Sequence, residues 1–400
     1  MKLKLIEPGK LPFYNIGERY PLWYPSMMLP SVAAVTPGDW QLEIVESSAV
    51  DSIDFDEDVD LVGISVFTVH SKKAYKLSDE YRNKGVKTIL GGVHCTALPD
   101  ESIKHADAVV IGEVENIWQE VLTDFKEGNL KKFYRSRVPP DLLNLPLPRI
   151  DLLKNSNYAN VNPVIPSRGC PLKCGFCLVP YFHGRTYRQQ PVKRVLKEIE
   201  WIRENRGDNI AINFPENILS DKAYATGIIN AIKPLNLKFG AEGYLPHLQD
   251  ETFLDVLKQG GCYSIYAETE MVSKKKDAAL FEAYEAAARM IYDKGIALIM
   301  NFTLGYDDDD EEVFTETWNF IERHHMAMFA IQLLVPWPGT PLFDTLKSEN
   351  RIIENDWSLY DNNHVVFKPK LMSVDKLQNG YFDIWRAIQQ RRHKTASSSL

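Results

Sequence analysis

Short apolar runs alternate with amphipathic stretches in two series along this chain, and a proline-rich segment, VPPDLLNLPLPRID at 138–151, separates them. In the first series the runs fall at 2–7, 41–46, 61–67, 87–91 and 107–112, with amphipathic segments near 71–84 and 98–105. Runs that are apolar along their whole length bury both faces, and strands separated by helices run parallel. This predicts an α/β fold that opens with a Rossmann-like domain over 1–137, followed by a linker over 138–154. The second series has runs at 159–165, 209–214, 237–242, 263–268, 297–304 and 328–334, with helices near 192–205, 221–232, 251–258, 275–293 and 311–324. Six repeats over roughly 180 residues predict a partial (β/α)6 barrel over 155–344, short of the eightfold form. Residues 345–400 read as a short helical C-terminal segment, and DDDDEE at 307–312 as a solvated loop ahead of a helix.

The formal charge of −8 argues against a broad basic surface, so no nucleic-acid partner is expected. No apolar run approaches the ~18 residues of a membrane span. MKLKLIEPG reaches a Glu-Pro-Gly turn too early for a signal peptide. Five cysteines, an odd number, do not make a secreted disulfide framework. A cytoplasmic chain is expected.

Three of the five cysteines crowd into PSRGCPLKCGFCLVP at 166–180, as Cys170, Cys174 and Cys177. Thiolates at such spacing converge on one metal centre. Structural zinc takes four ligands, usually as two separated pairs. Cys95 and Cys262 lie far off in sequence, and His183 stands as the one nearby candidate for a fourth zinc ligand. Three cysteines also suit a [4Fe–4S] cluster with one iron left open, and an open position on a metal is where chemistry takes place.

The pattern CxxxCxxC with Phe176 before the last cysteine resembles the signature of radical S-adenosylmethionine enzymes. The resemblance implies that Cys170, Cys174 and Cys177 hold a [4Fe–4S] cluster whose free iron chelates S-adenosylmethionine. By the same likeness NFPENILSD (213–221) offers Glu216 and Asn217 to the methionyl amino group, FGAEGY (239–244) offers Glu242, and GGCYSIYAETE (260–270) offers Glu270 near the ribose. A Gly-Ile pair of the relatives is replaced here by Glu268–Thr269. NFTLGY (301–306) and VPWPGTPLF (335–343) resemble the later barrel strands and the adenine side.

A Rossmann-like domain placed before the radical domain is similar to the cobalamin-binding branch of that family, and the similarity spans nearly the whole chain. VGISVFTVHSKKAY, ILGGVHCTALPDES and HADAVVIGEVE carry it. It implies cobalamin held by Ser65, Val66, Phe67 and Thr68 at one strand end, Gly91, Gly92 and His94 at the next, and Gly112 and Glu113 at a third. Glycine lets a ligand approach the backbone, and hydroxyls bond its nucleotide tail. The Asp-x-His-x-x-Gly motif that supplies a lower cobalt ligand elsewhere is absent from EPGKLPFYNIGERYP at 7–21.

What the resemblance implies is C-methylation of an unactivated sp3 carbon through methylcobalamin and a 5′-deoxyadenosyl radical. No side chain is given an acid–base role. The protein then supplies position and water exclusion. A reductant such as flavodoxin or ferredoxin is implied. The alternative within the branch is ring formation, rearrangement, or lipid or tetrapyrrole modification without methyl transfer. A fully ligated electron-carrier cluster lacks its fourth cysteine, and a methylthiolating enzyme lacks an N-terminal cysteine triad. The short C-terminal segment suggests an open site suited to a protein or peptide side chain, such as the glutamine of methyl-coenzyme M reductase, with a small molecule as the other class of substrate. Trp23, Tyr24, Trp337 and Tyr360 read chiefly as packing residues.

Overall fold

The computed structural model describes residues 1–9, 25–154, 161–269, 277–324, 326 and 328–397, with the backbone alone at 388–397. Two six-stranded sheets organise it. The first holds β1 (Lys2–Ile6), β2 (Gln41–Val45), β3 (Leu61–Ser65), β4 (Lys87–Gly91), β5 (Ala108–Ile111) and β6 (Phe133–Arg135), in the order β2-β1-β3-β4-β5-β6. All its pairings are parallel. The order reverses between β1 and β3, so a crevice opens where their carboxyl ends diverge. One sheet face packs beneath helix Ser71–Asn83, whose buried Ala74, Leu77, Ser78 and Tyr81 follow helical spacing. Helices Met28–Ala34 and Trp118–Lys126 cover the other face.

Five of these strands match the apolar runs, and β6 was not anticipated. Only Tyr134 of its three residues is buried, which leaves almost no pattern to read. The amphipathic stretch expected at 98–105 is broken into Val93–Ala97, Pro99–Ser102 and a turn at Ile103–His105. Pro99 has no N–H to continue a preceding helix and begins a new one instead.

The second sheet holds β7 (Val161–Pro163), and, beyond a two-residue antiparallel pair β8 (Ser167–Arg168) with β9 (Arg188–Gln189), the strands β10 (Ala211–Phe214), β11 (Lys238–Glu242), β12 (Cys262–Thr269), β13 (Ala297–Leu304) and β14 (Met328–Leu333). Its order follows the sequence, and every pairing is parallel, giving the six-stranded partial barrel. Three of the helices that return between strands are started by side-chain caps. Asp221, Asp250 and Asp277 each accept the backbone N–H three residues on.

The acidic run at 307–312 is not simply solvated. Asp309 is buried and accepts the N–H groups of Gly305 and Tyr306 at 2.7 and 2.9 Å, while Asp307 pairs with Arg351 and Lys370. The C-terminal segment is α-helical at its start and over Val374–Ser397, with one 3-10 turn at Trp357–Leu359 between them. Between them the chain covers the open edge of the barrel: Leu333 N donates to Asn362 O at 2.8 Å, and Asn362 Nδ2 returns a bond to Leu333 O. Tyr360, Val366 and Phe367 are buried in the barrel core beside it.

The linker is also bound down. Arg194, on helix Val192–Arg206, donates to the carbonyls of Leu145 and Pro146, and Trp201 Nε1 donates to Pro148 O. No described helix is long and apolar enough to cross a membrane.

Candidate active site

The carboxyl ends of both sheets open onto one cavity of about 560 Å³. On the N-terminal side a groove descends along one face of the sheet. In parallel register Gly63 stands between Leu5 and Ile89, and Ser65 stands opposite Gly91. Gly63, Ser65, Gly91 and Gly112 are thus small residues on one face, and all line the cavity with Ile89, Val110 and Trp118 behind them. A Cβ at Gly112 would meet nothing within 4 Å, and one at Gly91 only Val110 at 3.7 Å. Such a slot fits the narrow tail of a large planar cofactor. Gly63, Met28 and Trp118 were missed in the sequence; Gly63 sat in plain view two residues before Ser65, on the same face.

Gly92 lines the cavity as well, but its glycine is demanded from within. Its φ is 103°, and a Cβ there would lie 2.9 Å from Val66 O. That close approach locks the turn after β4 onto the end of β3, with His94 N donating to Val66 O. Val66, Phe67, Thr68 and His94 do not line the cavity. Val66 is fully buried, and Phe67 packs edge-on against Trp337 of the barrel, ring centres 5.1 Å apart. His94 is fully buried in a polar knot, within 3.3 Å of Thr68 Oγ1 and 3.0 Å of Tyr75 OH, and Glu101 in the same knot accepts from Trp357 Nε1. Phe67, His94 and Glu101, through Trp337 and Trp357, join the two halves of the molecule.

On the barrel side the loop after β7 brings Cys170, Cys174, Phe176 and Cys177 to the cavity wall. Phe176 meets Tyr306 edge-on, ring centres 6.0 Å apart. Burial first, and then the nearby Glu268, Cys170 and Glu216, push the Cys177 thiol up to about 12. It keeps its proton until a metal displaces it. Among the described residues no three His, Cys, Asp or Glu side chains stand in ready ligating geometry. Even so, three thiols share one loop and one cavity wall. Cys95 and Cys262 are buried elsewhere and do not line it. That donor set fits a cluster with one open position. His183, weighed above as a zinc ligand, lies with Nδ1 3.1 Å from Glu113 Oε1 and Nε2 4.0 Å from Glu216 Oε1.

Glu216 and Asn217 follow β10 in consecutive left-handed conformations, φ 66° and 59°. Asn217 Oδ1 accepts from Tyr244 N at 3.0 Å, and Glu216 N donates to Glu242 Oε2 at 3.2 Å. The three residues predicted from β10 and β11 therefore stand together at the cavity. Burial pushes the Glu216 carboxyl up, against the pull of His183 and Arg168. Glu270 lies outside the described residues, as do Trp23 and Tyr24. Trp337 lines the cavity, and Tyr360 is core.

Glu113 lines the cavity but faces the barrel rather than the groove. Its carboxylate receives Arg168 Nη1 at 2.6 Å and Arg188. Burial opposes its ionisation, yet the His183 hydrogen bond and charge, then Arg168, hold it at about 2.

A family model of the B12 binding domain matches residues 32–122. Bacteriochlorophyllide d C-8(2)-methyltransferase of Chlorobaculum tepidum is 29% identical over 401 residues, covering 94% of this chain and 88% of that protein. Bacteriochlorophyllide d C-12(1)-methyltransferase of the same organism is 28% identical over 341 residues, covering 82% and 74%. Among solved structures, the radical S-adenosylmethionine methyltransferase TsrM of Kitasatospora setae, with cobalamin and a [4Fe-4S] cluster bound, superposes with a TM-score of 0.66 at 16% identity. It spans 87% of this chain and 78% of that one. That likeness is one of fold.

Proposed function

We propose, from the premise that this chain belongs to the cobalamin-binding radical S-adenosylmethionine enzymes, that it is a methyltransferase acting on an unactivated sp3 carbon of a small molecule. The observation that carries the reading is the single cavity, lined at once by the glycine-rich strand ends of the B12-type domain and by the cysteine loop of the barrel. A methyl donor and a hydrogen-abstracting centre held there would face one substrate carbon.

Cys170, Cys174 and Cys177 would hold the [4Fe–4S] cluster. Ser65, Gly91, Gly92 and Gly112 would cradle cobalamin. Reductive cleavage of S-adenosylmethionine and a cobalt-borne methyl group are the chemistry these cofactors supply when bound. Asn217 would fix the loop beside Cys170. The Glu216 carboxyl, pushed up by burial, would ionise against an ammonium group brought to it and bind it as a charge-assisted pair. Phe176, Phe182, Tyr244, Tyr266 and Trp337 would keep water from the reacting carbon. A small low-potential protein such as flavodoxin or ferredoxin would supply electrons.

Two observations favour a flat apolar molecule such as a cyclic tetrapyrrole over a protein or peptide side chain. The longest of these alignments runs to an enzyme named for a bacteriochlorophyllide. The segment around Asn362, read as leaving the site open, instead covers the edge of β14. The test is anaerobic reconstitution with cobalamin, S-adenosylmethionine labelled in its methyl group, a reductant and a chlorophyllide with an unmethylated side chain. Labelled product, 5′-deoxyadenosine and S-adenosylhomocysteine in near-equal amounts are expected. 5′-Deoxyadenosine without S-adenosylhomocysteine would leave ring formation or rearrangement as the reading. Label taken up by a peptide in place of the chlorophyllide would restore the protein substrate.

A further inference from the structure

The cysteine loop is closed at its neck by two residues on each side. Ser167 pairs with Gln189 and Arg168 with Arg188 in the antiparallel β8–β9 ladder. Gly169 sits at this neck with φ 85°, and a Cβ on it would fall 2.3 Å from Thr186 O, so the two arms touch backbone to backbone. Both arginines of the ladder reach across to Glu113, which belongs to the other domain, and His183 of the loop meets the same carboxylate. Arg188 also donates to Pro140 O in the linker and to His183 O within the loop. One carboxylate therefore ties linker, loop neck and loop body to the end of β5.

The rest of the loop has little regular structure to hold it. Its outward anchors include Leu342 N to Gly175 O at 3.0 Å, Tyr181 OH to Thr96 O at 3.3 Å and the Asn217–Cys170 contact. Segments with few backbone ties open locally unless side chains clamp them. The two arginines differ in what they keep if Glu113 is neutralised. Arg168 retains Glu115 at 2.6 Å, whereas Arg188 has no second carboxylate among the described residues. A largely buried cation stripped of its only counter-charge is destabilising where it stands, and Arg188, only partly buried, can swing out to water.

We propose that Glu113 is a positioning residue for the cysteine loop rather than a contact to cobalamin: carried on the B12-type domain, it clamps Arg168 and Arg188 and so sets the loop's position against the cavity. This rests on the reading that the loop's cysteines hold the cluster, and it extends that reading to what couples the two cofactor domains.

The test uses hydrogen exchange of the cofactor-free full chain, together with cobalamin titration and iron content after reconstitution. Glu113→Gln is expected to speed exchange of amides over 169–187 at least tenfold, with strands β1 to β5 unchanged. Cobalamin affinity is expected to stay within twofold while iron per chain falls. Glu113→Asp, which keeps the charge on a shorter arm, should restore part of the protection. Arg188→Gln is the second variant should Glu113→Gln fail to fold, and it should loosen the same amides. Unchanged exchange over 169–187 in a folded variant overturns the proposal. So does a loss of cobalamin affinity without loop loosening, which would make Glu113 a cobalamin contact. Iron retained in a Cys170→Ala, Cys174→Ala, Cys177→Ala triple variant would sink the cluster reading instead, and the exchange data of the cofactor-free chain would still decide the role of Glu113.

Discussion

Asn217 donates from Nδ2 to Cys170 Sγ at 3.6 Å while its own backbone is held left-handed at φ 59°. The two facts belong together. Asparagine tolerates the left-handed region better than other side-chain-bearing residues, and its amide then serves both the cysteine and Tyr244 N. Asn217→Ala loses both the tolerance and the bonds, at about 2–3 kcal/mol of stability. Asn217→Gly loses only the bonds, at about 1 kcal/mol. Urea denaturation should rank glycine above alanine here, the reverse of the order in a helix. Alanine equal to or above glycine would mean that the backbone strain is not what this position resists.

The five cysteines divide by place. Alanine at Cys170, Cys174 or Cys177 is expected to leave reconstituted chain with little iron and full cobalamin uptake. Alanine at Cys95 or Cys262 should keep the iron, because both thiols are buried away from the cavity, where burial pushes them up to about 12. Those two should instead cost about 1 kcal/mol each in lost packing. Iron and cobalamin assays on the five single variants check this, and iron lost from Cys262→Ala alone would bring in a fourth ligand.

Gly91 faces the groove with room for a side chain. Valine there suits a strand, and its Cβ meets only Val110 at ordinary contact distance. The fold should accept Gly91→Val within a few degrees of Tm. The groove should not, since the two methyl groups stand opposite Ser65 where a cofactor tail would pass. Cobalamin titration followed by absorbance is expected to show affinity down at least tenfold. Unchanged affinity would place the tail elsewhere.

How much of this was legible in the sequence follows from how local each signal is. The strands and helices of both domains were visible because short, largely apolar runs alternate with amphipathic stretches, and the cysteine triad because its spacing is short. Glu216, Asn217 and Glu242 were legible by likeness and stand together in space. The role of Glu113 was not legible. Its partners Arg168 and Arg188 are 55 and 75 positions away, and a strand-end glutamate beside a glycine looks the same whether it faces a ligand or another domain. His94 misled for a related reason: its neighbour Gly92 is at the cavity, but the helical turn that starts at Val93 rotates His94 inward to Tyr75 and Thr68. The cover over β14 was hidden because Asn362 meets Leu333 across 29 positions, half through its backbone carbonyl and half through its side-chain amide, and neither bond leaves a local pattern.

The Glu113 cluster also sets the acid limb of stability. Its carboxyl sits at about 2 in the folded chain, against an ordinary 4.5, because His183 and Arg168 outweigh its burial. A folded value below the unfolded one means that the unfolded chain binds the extra proton between the two. The stabilisation is therefore whole above about pH 4.5 and is lost as pH falls toward 2; the gap corresponds to on the order of 3 kcal/mol. Glu113→Gln cannot titrate. The stability difference between the natural chain and this variant should be constant from neutral pH down to about pH 5 and more than half gone by about pH 3. Urea midpoints measured across that range test it. A difference that persists undiminished at the acid end would mean that shape, and not the ionised carboxylate, is what the arginines require.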